Sequence, residues 1–170
     1  LKRLKGAPIS RHSEQFKLVF DAEAPYEILQ NSSIAFESMQ QLKRFSHLHD
    51  VLSNSGNFRE TLPRLWIGTP SAFMTFLAFS IWVYRKLGRV HSVSLQNWCE
   101  ILFEYLTAER FLDKEEIATC LFHDYSAFGR PDFPRSLRQY LPSGLQSRRE
   151  DESGHKCNSS ILKRQKHHLA

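Results

Sequence analysis

The chain has 170 residues, 41% of them hydrophobic, which is enough for one domain or for one domain with a loose end. Its formal charge of +5 does not favour nucleic acid binding, because residues 143–170 hold six Lys/Arg against three Asp/Glu and leave residues 1–142 at only +2. Three widely spaced cysteines without a C-x-x-C pair exclude a disulfide framework and a zinc ribbon, and predict a reducing, cytoplasmic location.

The first residues predict little regular structure. Leu1 stands where a complete chain has Met, so we expect this sequence to be part of a longer protein. Ser10 is predicted to cap a short helix that ends near Leu18. A partly extended connector follows over residues 19–29, because Pro25 favours extended backbone at the residue before it.

An amphipathic helix is predicted over residues 34–53. Its apolar residues recur three or four positions apart, as one face of a helix requires: Met39, Leu42, Phe45, Leu48 and Leu52. The helix is expected to stop at Asn54-Ser55-Gly56, where a left-handed Gly56 would close it. The loop is either a helix stop alone or a stop whose polar groups also face a partner or substrate.

Three further helices are indicated by their boundary residues. Residues 72–83 are apolar at all but two positions, too short a run for a membrane span, so a core helix buried nearly all round is predicted between an N-cap at Thr69 and Gly88. Ser94 is predicted to cap the next helix, and Asp113 with Glu116 forms an acidic capping box for the third.

The end of the chain predicts less structure. Three prolines leave room for only a short helix near residues 135–140, and residues 143–170 have too few large apolar side chains to order themselves. The predicted fold class is all-α, an irregular multi-helix domain followed by a disordered basic tail.

One segment has the spacing of a metal site. Cys120, His123 and Asp124 fall at i, i+3 and i+4 of a helix, but no further ligand is marked, so a structural role is favoured. His47 and His49, two positions apart, fall on different faces and are interpreted as surface residues. The motifs of nucleophilic and phosphate-binding enzymes are also missing, so we predict no catalytic, cofactor-binding or metal-binding residue.

Several short segments resemble a known family when their order and spacing are taken together. They are Lys5-Gly6-Ala7-Pro8, Pro25-Tyr26-Glu27-Ile28-Leu29, Leu42-Lys43, Asn54-Ser55-Gly56-Asn57-Phe58, and Asp124-Tyr125 in "FHDYSAFGRPDFP". Residues 1–142 thereby resemble the C-terminal stretch of bacterial cobalamin-binding radical SAM proteins. Ala7 stands where that family usually has Thr, and Ala35 where a helix-capping Ser or Thr is common, as in a diverged member.

The resemblance implies a full-length protein with a cobalamin-binding domain and a partial (β/α) barrel. In that family a C-x₃-C-x₂-C triplet holds a [4Fe–4S] cluster and leaves one iron open for S-adenosylmethionine. The triplet is missing from this sequence, so we expect this chain alone to bind neither the cluster nor cobalamin. Residues 1–29 would be the end of the barrel and a connector, residues 30–142 a helical C-terminal domain and residues 143–170 the disordered tail.

The leading hypothesis is an accessory domain that packs on the barrel and shapes the substrate site, without catalytic activity of its own. Its partners would be the upstream barrel and cobalamin domains and an unknown small-molecule substrate, with no membrane. The alternative is a free-standing helical module that binds a protein through exposed aromatics, and a nucleic-acid binder comes third. The resemblance marks these residues as candidates for a substrate or interface loop: Pro25, Tyr26, Asn54, Ser55, Phe58, Asp124 and Tyr125.

Overall fold

The computed structural model describes residues 8–146 and confirms the all-α fold class. Its α-helices over these residues are α1 (Phe36–His49), α2 (Ala72–Leu87), α3 (Leu95–Glu104), α4 (Lys114–Ser126), α5 (Arg135–Arg138) and α6 (Ser143–Gln146). A 3₁₀-helix, Leu62–Trp66, fills the short segment that contains Pro63. The described sheet has two strands, β1 (Val19–Phe20) and β2 (Ile28–Gln30).

The segment before α1 is a hairpin, which the sequence did not predict. β1 and β2 pair antiparallel, with Val19 opposite Gln30 and Phe20 opposite Ile28, so the predicted extended connector folds back on itself. The helix predicted from Ser10 to Leu18 is wrong. A 3₁₀-helix, Pro8–His12, stands there instead, because the fixed φ of a proline suits a first helical position.

Local capping chemistry sets most helix ends. The Ser94 hydroxyl accepts the N–H of Asn97 at 3.2 Å, and the Asp113 carboxylate accepts that of Glu116 at 2.8 Å, as predicted. Gly88 closes α2 in the left-handed region, with φ of 66°. The cap predicted for α2 lies two positions too early, since the cap is Ser71, whose hydroxyl accepts the Met74 N–H at 3.3 Å.

Two helices widen at their C-terminal ends into single π-helical turns. α1 continues through Asp50–Asn54, and α3 continues through Tyr105–Glu109. A π-turn adds a residue to the helical turn and rotates the residues after it about the helix axis, and such turns are frequent near functional sites. The turn after α1 carries the chain directly into the Asn54-Ser55-Gly56 loop.

Helices α1 to α5 and the 3₁₀-helix share the core, and it contains most of the predicted apolar faces. α1 contributes Leu48 and its π-turn Leu52, while α3 and α4 contribute the fully buried Leu102, Ile117 and Leu121. Further large, fully buried side chains are Leu65, Phe76, Phe79, Val83, Leu106 and Phe133.

The prediction that α2 is buried nearly all round is wrong. Phe76, Phe79, Ser80 and Val83 face the core, but Phe73 is 50% and Met74 59% exposed. α2 packs against α1, the 3₁₀-helix and the π-turn after α3, and even the half-exposed Phe73 ring contacts Phe45 of α1, with 5.1 Å between the ring centroids, so burial varies along the helix. None of the described helices is both long and apolar enough to cross a membrane.

The first residues of the predicted disordered tail are helical. Residues 143–146 form α6, where Leu145 packs partly against the core and its N–H bonds the Pro142 carbonyl at 2.8 Å. Residues 1–7 and 147–170, with Cys157 and the remaining tail prediction, lie outside the described residues.

Candidate functional site

A cleft of about 700 Å³ lies along one face of α1. Polar residues at helical spacing on α1 and its π-turn line it: Gln40, Lys43, Arg44, His47, Asp50 and Asn54. The lining also includes Glu27, from the turn before β2, and Val90 and His91, from the loop after α2. The cleft therefore joins three parts of the chain that are distant in sequence.

Both carboxylates of the cleft have partners inside it. Glu27 Oε2 lies 2.5 Å from Lys43 Nζ, with the two side chains 32% and 41% exposed. Asp50 Oδ1 accepts a hydrogen bond from the Asn54 amide at 3.1 Å. The half-buried Arg44 stacks its guanidinium 4.0 Å from the ring centroid of Tyr84 and meets no carboxylate of the described chain.

Three histidines border the cleft. His47 Nε2 lies 3.1 Å from the Val90 carbonyl oxygen, and the ring centroids of His47 and His91 are 4.1 Å apart. His49 stacks on Phe45 with an interplanar angle of 9°. His47 and His49 thus contact different neighbours, as their spacing predicts, but both are half-buried rather than surface residues. Within residues 8–146 no three His, Cys, Asp or Glu side chains are grouped as a metal site requires.

The resemblance segments meet at this cleft only in part. Glu27, Lys43 and Asn54 line it, each from a different segment. Pro25 and Tyr26 are exposed residues next to Glu27 and are not among the lining residues. His91 and Arg44 were missed as candidates, although the polar residues of α1 at three- and four-residue spacing were visible in the sequence.

The other candidate residues lie inside the domain, away from the cleft lining. Phe58 is 2% exposed and belongs to the core. Asp124, 5% exposed, accepts the backbone N–H groups of Glu60 at 2.9 Å and Thr61 at 2.8 Å. The hydroxyl of the buried Tyr125 donates to Asp132 at 2.8 Å. These contacts give the Asp-Tyr element a structural interpretation, since they hold the loop after Gly56 against α4.

The Asn54-Ser55-Gly56 loop combines a helix stop with the rim of the cleft. Gly56 is left-handed, with φ of 71°, as predicted for a residue that ends a helix. The exposed Ser55 accepts the Asn57 N–H at 3.2 Å, and Asn57 in turn accepts a hydrogen bond from Arg130 at 3.1 Å. Asn54 is the residue of the loop that reaches the cleft lining.

Substitution of Gly56 by alanine is expected to lower the free energy of unfolding by roughly 1 kcal/mol, the cost of a left-handed residue with a Cβ atom. The new Cβ would lie 3.4 Å from the flexible Arg59 side chain, so backbone conformation rather than a clash causes the loss. Urea denaturation checks the value. Gly144→Ala is the control, because Gly144 has no positive φ and open space around it. Equal effects of the two substitutions would contradict the explanation.

The described cysteines are poor nucleophiles. Burial raises the pKa of the Cys99 thiol to about 12. Burial also raises the pKa of Cys120, although Arg64, 3.8 Å from its sulfur, acts in the opposite direction. The predicted structural role of the Cys120 segment agrees with its contacts, because His123 faces Glu60 at 2.9 Å while Asp124 bonds backbone N–H groups.

Comparison with known proteins places this chain in a family. The family described as "Protein of unknown function (DUF4080)" matches residues 14–169. Neither a curated protein nor a solved structure matches the chain. The family match runs through the hairpin, the helices and most of the residues after α6. The chain therefore belongs to the DUF4080 family.

Proposed function

We propose that this chain is a helical accessory domain of a cobalamin-dependent radical SAM iron–sulfur enzyme of the cytoplasm. It packs on the barrel and shapes the substrate site. The observation that carries the proposal is the meeting of three resemblance segments at one cleft, through Glu27, Lys43 and Asn54. Lys43 and Asn54 share α1 and its π-turn, and the fold brings Glu27, 16 positions before Lys43, to the same cleft.

Stability alone is a weak reason for these polar residues. An ion pair as exposed as Lys43–Glu27 contributes about 0–1 kcal/mol in general. The hydrogen bond between Asn54 and Asp50 is likewise exposed. Polar side chains on a rigid helix beside a cleft are typical of groups that orient a ligand, so a role in the substrate site is the better explanation.

The cofactors of such an enzyme would belong to its other domains. The three cysteines of this chain stand 21 and 37 residues apart, which does not fit the C-x₃-C-x₂-C triplet. Cys99 and Cys120 are also buried, whereas a cluster needs thiolates that can converge on iron. The residues present therefore do not fit a [4Fe–4S] cluster, and the chain contributes substrate contacts rather than radical chemistry.

Two measurements test the proposal. The coding sequence upstream of Leu1 should encode a C-x₃-C-x₂-C triplet within a few hundred codons. In that full-length protein, hydrogen exchange at the backbone of α1 should be slower than in the 170-residue chain, because the barrel covers the helix. A full-length gene without the triplet, or identical exchange in both proteins, would contradict the proposal.

Asn54→Ala is expected to change the free energy of unfolding by less than about 1 kcal/mol, since it removes one exposed hydrogen bond. We expect it to reduce turnover by the full-length enzyme, measured as 5′-deoxyadenosine formed from S-adenosylmethionine. Asn97→Ala is the matched control, because Asn97 is exposed on α3 and lies outside the cleft lining. If Asn54→Ala unfolds the domain and spares turnover, the loop is only structural.

A free-standing interaction module is the second candidate, and exposed apolar side chains favour it. Phe111 is 86% exposed, and Phe73 and Met74 are exposed beside each other on α2. Such residues mark interfaces when they form a patch. Either an upstream barrel or a separate protein would cover them, and the upstream coding sequence separates these two cases.

A further inference from the structure

We infer that the cleft on α1 binds an oxyanion, a carboxylate or a phosphate group, through Arg44 with His91. As an assignment of the substrate class, this inference rests on the proposed function and deepens it. As a binding site, it stands on the charges and contacts of the cleft itself.

One cation of the cleft forms no ion pair. Lys43 is paired with Glu27, while Asp50 accepts a hydrogen bond from the neutral Asn54 amide. Arg44 stacks on the Tyr84 ring and has no acidic partner in the described part of the chain. A half-buried guanidinium that lacks an anion is complementary to an anionic ligand.

The contacts of Arg44 also prepare it for such a ligand. The guanidinium carbon of Arg44 lies over the Tyr84 ring, 4.0 Å from its centroid, and this contact to the ring face leaves N–H groups available for a two-point interaction with an oxyanion. The Tyr84 ring restricts the side chain before the ligand arrives, which lowers the entropic cost of binding.

One imidazole can supply a further donor beside Arg44. Arg44 and His47 are three residues apart on α1 and so project from the same side of the helix. The Nε2–H of His47 is donated to the Val90 carbonyl, which orients the ring, and the exposed His91 ring lies against it. A neutral imidazole has one N–H, so His47 has none left for a ligand, and His91 is the imidazole that can donate to an anion held by Arg44.

Other ligand classes fit the cleft less well. A metal ion needs convergent ligands, and no group of three is present within residues 8–146. An organic cation would have to compete with Lys43 for Glu27 and with the Asn54 amide for Asp50. A nucleic acid would need a row of cations rather than a single arginine without an ion pair.

Titration of the 170-residue chain with two probes tests the inference. Sodium phosphate and sodium succinate are added separately at constant ionic strength, and the Arg44 Nε–H and histidine ring signals are followed by NMR. We expect saturable shifts of Arg44 and His91 signals with at least one probe. Saturation by phosphate alone assigns a phosphate ligand, by succinate alone a carboxylate, and by both a general oxyanion site.

Charge-matched variants locate the site. Arg44→Gln is expected to raise the dissociation constant about tenfold or more, as loss of a charge-assisted pair predicts. His91→Gln should raise it less. Arg85→Gln, an exposed arginine of α2 outside the lining, should leave it unchanged. Failure of both probes to saturate, or equal weakening by Arg44→Gln and Arg85→Gln, would overturn the inference.

Failure of this inference and failure of the proposed function give different results. If the full-length gene encodes the cysteine triplet but the cleft binds neither probe, the oxyanion site is wrong and the accessory role stands. If the gene lacks the triplet but the chain binds phosphate or succinate through Arg44, the site stands and the radical SAM assignment is wrong.

Discussion

Replacement of Asp124 by alanine is expected to lower the free energy of unfolding by about 3–4 kcal/mol. The carboxylate is 5% exposed and accepts two backbone N–H groups, from Glu60 and Thr61, at 2.9 and 2.8 Å. Each buried donor left without an acceptor costs about 1–3 kcal/mol, and alanine can satisfy neither of them. Urea denaturation followed by circular dichroism measures the loss.

Two further variants make this expectation specific. Asp50→Ala is the same chemical change at an exposed carboxylate with one side-chain partner, and it should cost less than about 1 kcal/mol. The loss of unfolding free energy for Asp124→Asn should lie between those of Asp124→Ala and Asp50→Ala. The amide of asparagine keeps one acceptor oxygen but turns an NH₂ group toward a backbone N–H. If Asp124→Ala is as stable as the unmodified chain and full-length turnover fails, Asp124 acts on the substrate instead.

A structural Asp124 still matters for the cleft. By holding the backbone at Glu60 and Thr61, α4 fixes the chain that leaves the Gly56 loop. Arg130 adds a second attachment of this loop at Asn57. The start of the same loop is Asn54, on the cleft rim. The Asn-Ser-Gly and Asp-Tyr elements of the resemblance are therefore structurally connected. The buried contacts of Asp124 hold the loop whose first residue, Asn54, is exposed at the cleft.

The parts of the fold that were predictable have local causes. Ser94 and Asp113 begin helices and Gly88 ends one, each through a hydrogen bond to a group three or four residues away. The positions of these helix ends can therefore be read from the sequence. The same locality explains the error at α2. Thr69 and Ser71 are both acceptable caps, and Thr69 instead donates its hydroxyl to the Trp66 carbonyl at 2.9 Å.

The missed features depend on contacts between distant residues. The hairpin pairs strands of two and three residues, too short for any alternation to show. The exposure of Phe73 and Met74 depends on which face of α2 meets α1, since an apolar run fits either orientation. His91 joins the cleft because the loop after α2 returns to His47, 44 residues earlier in the sequence.

Phe79→Ala is expected to lower the free energy of unfolding by about 3–5 kcal/mol, the usual cost of removing a fully buried phenyl ring together with the cavity it leaves. The ring is 0% exposed, and its centroid lies 5.7 Å from that of Phe76 and 4.9 Å from that of Tyr105, so it joins α2 to the π-turn after α3. Phe73→Ala removes the same atoms from the same helix at a 50% exposed position, where the ring contacts Phe45 at 5.1 Å between centroids, and should cost about half as much or less. Thermal and urea unfolding of the two variants measure the difference. Because the two positions differ chiefly in burial, equal losses would show that Phe73 is covered in solution as completely as Phe79, and that the assigned difference in burial along α2 is wrong.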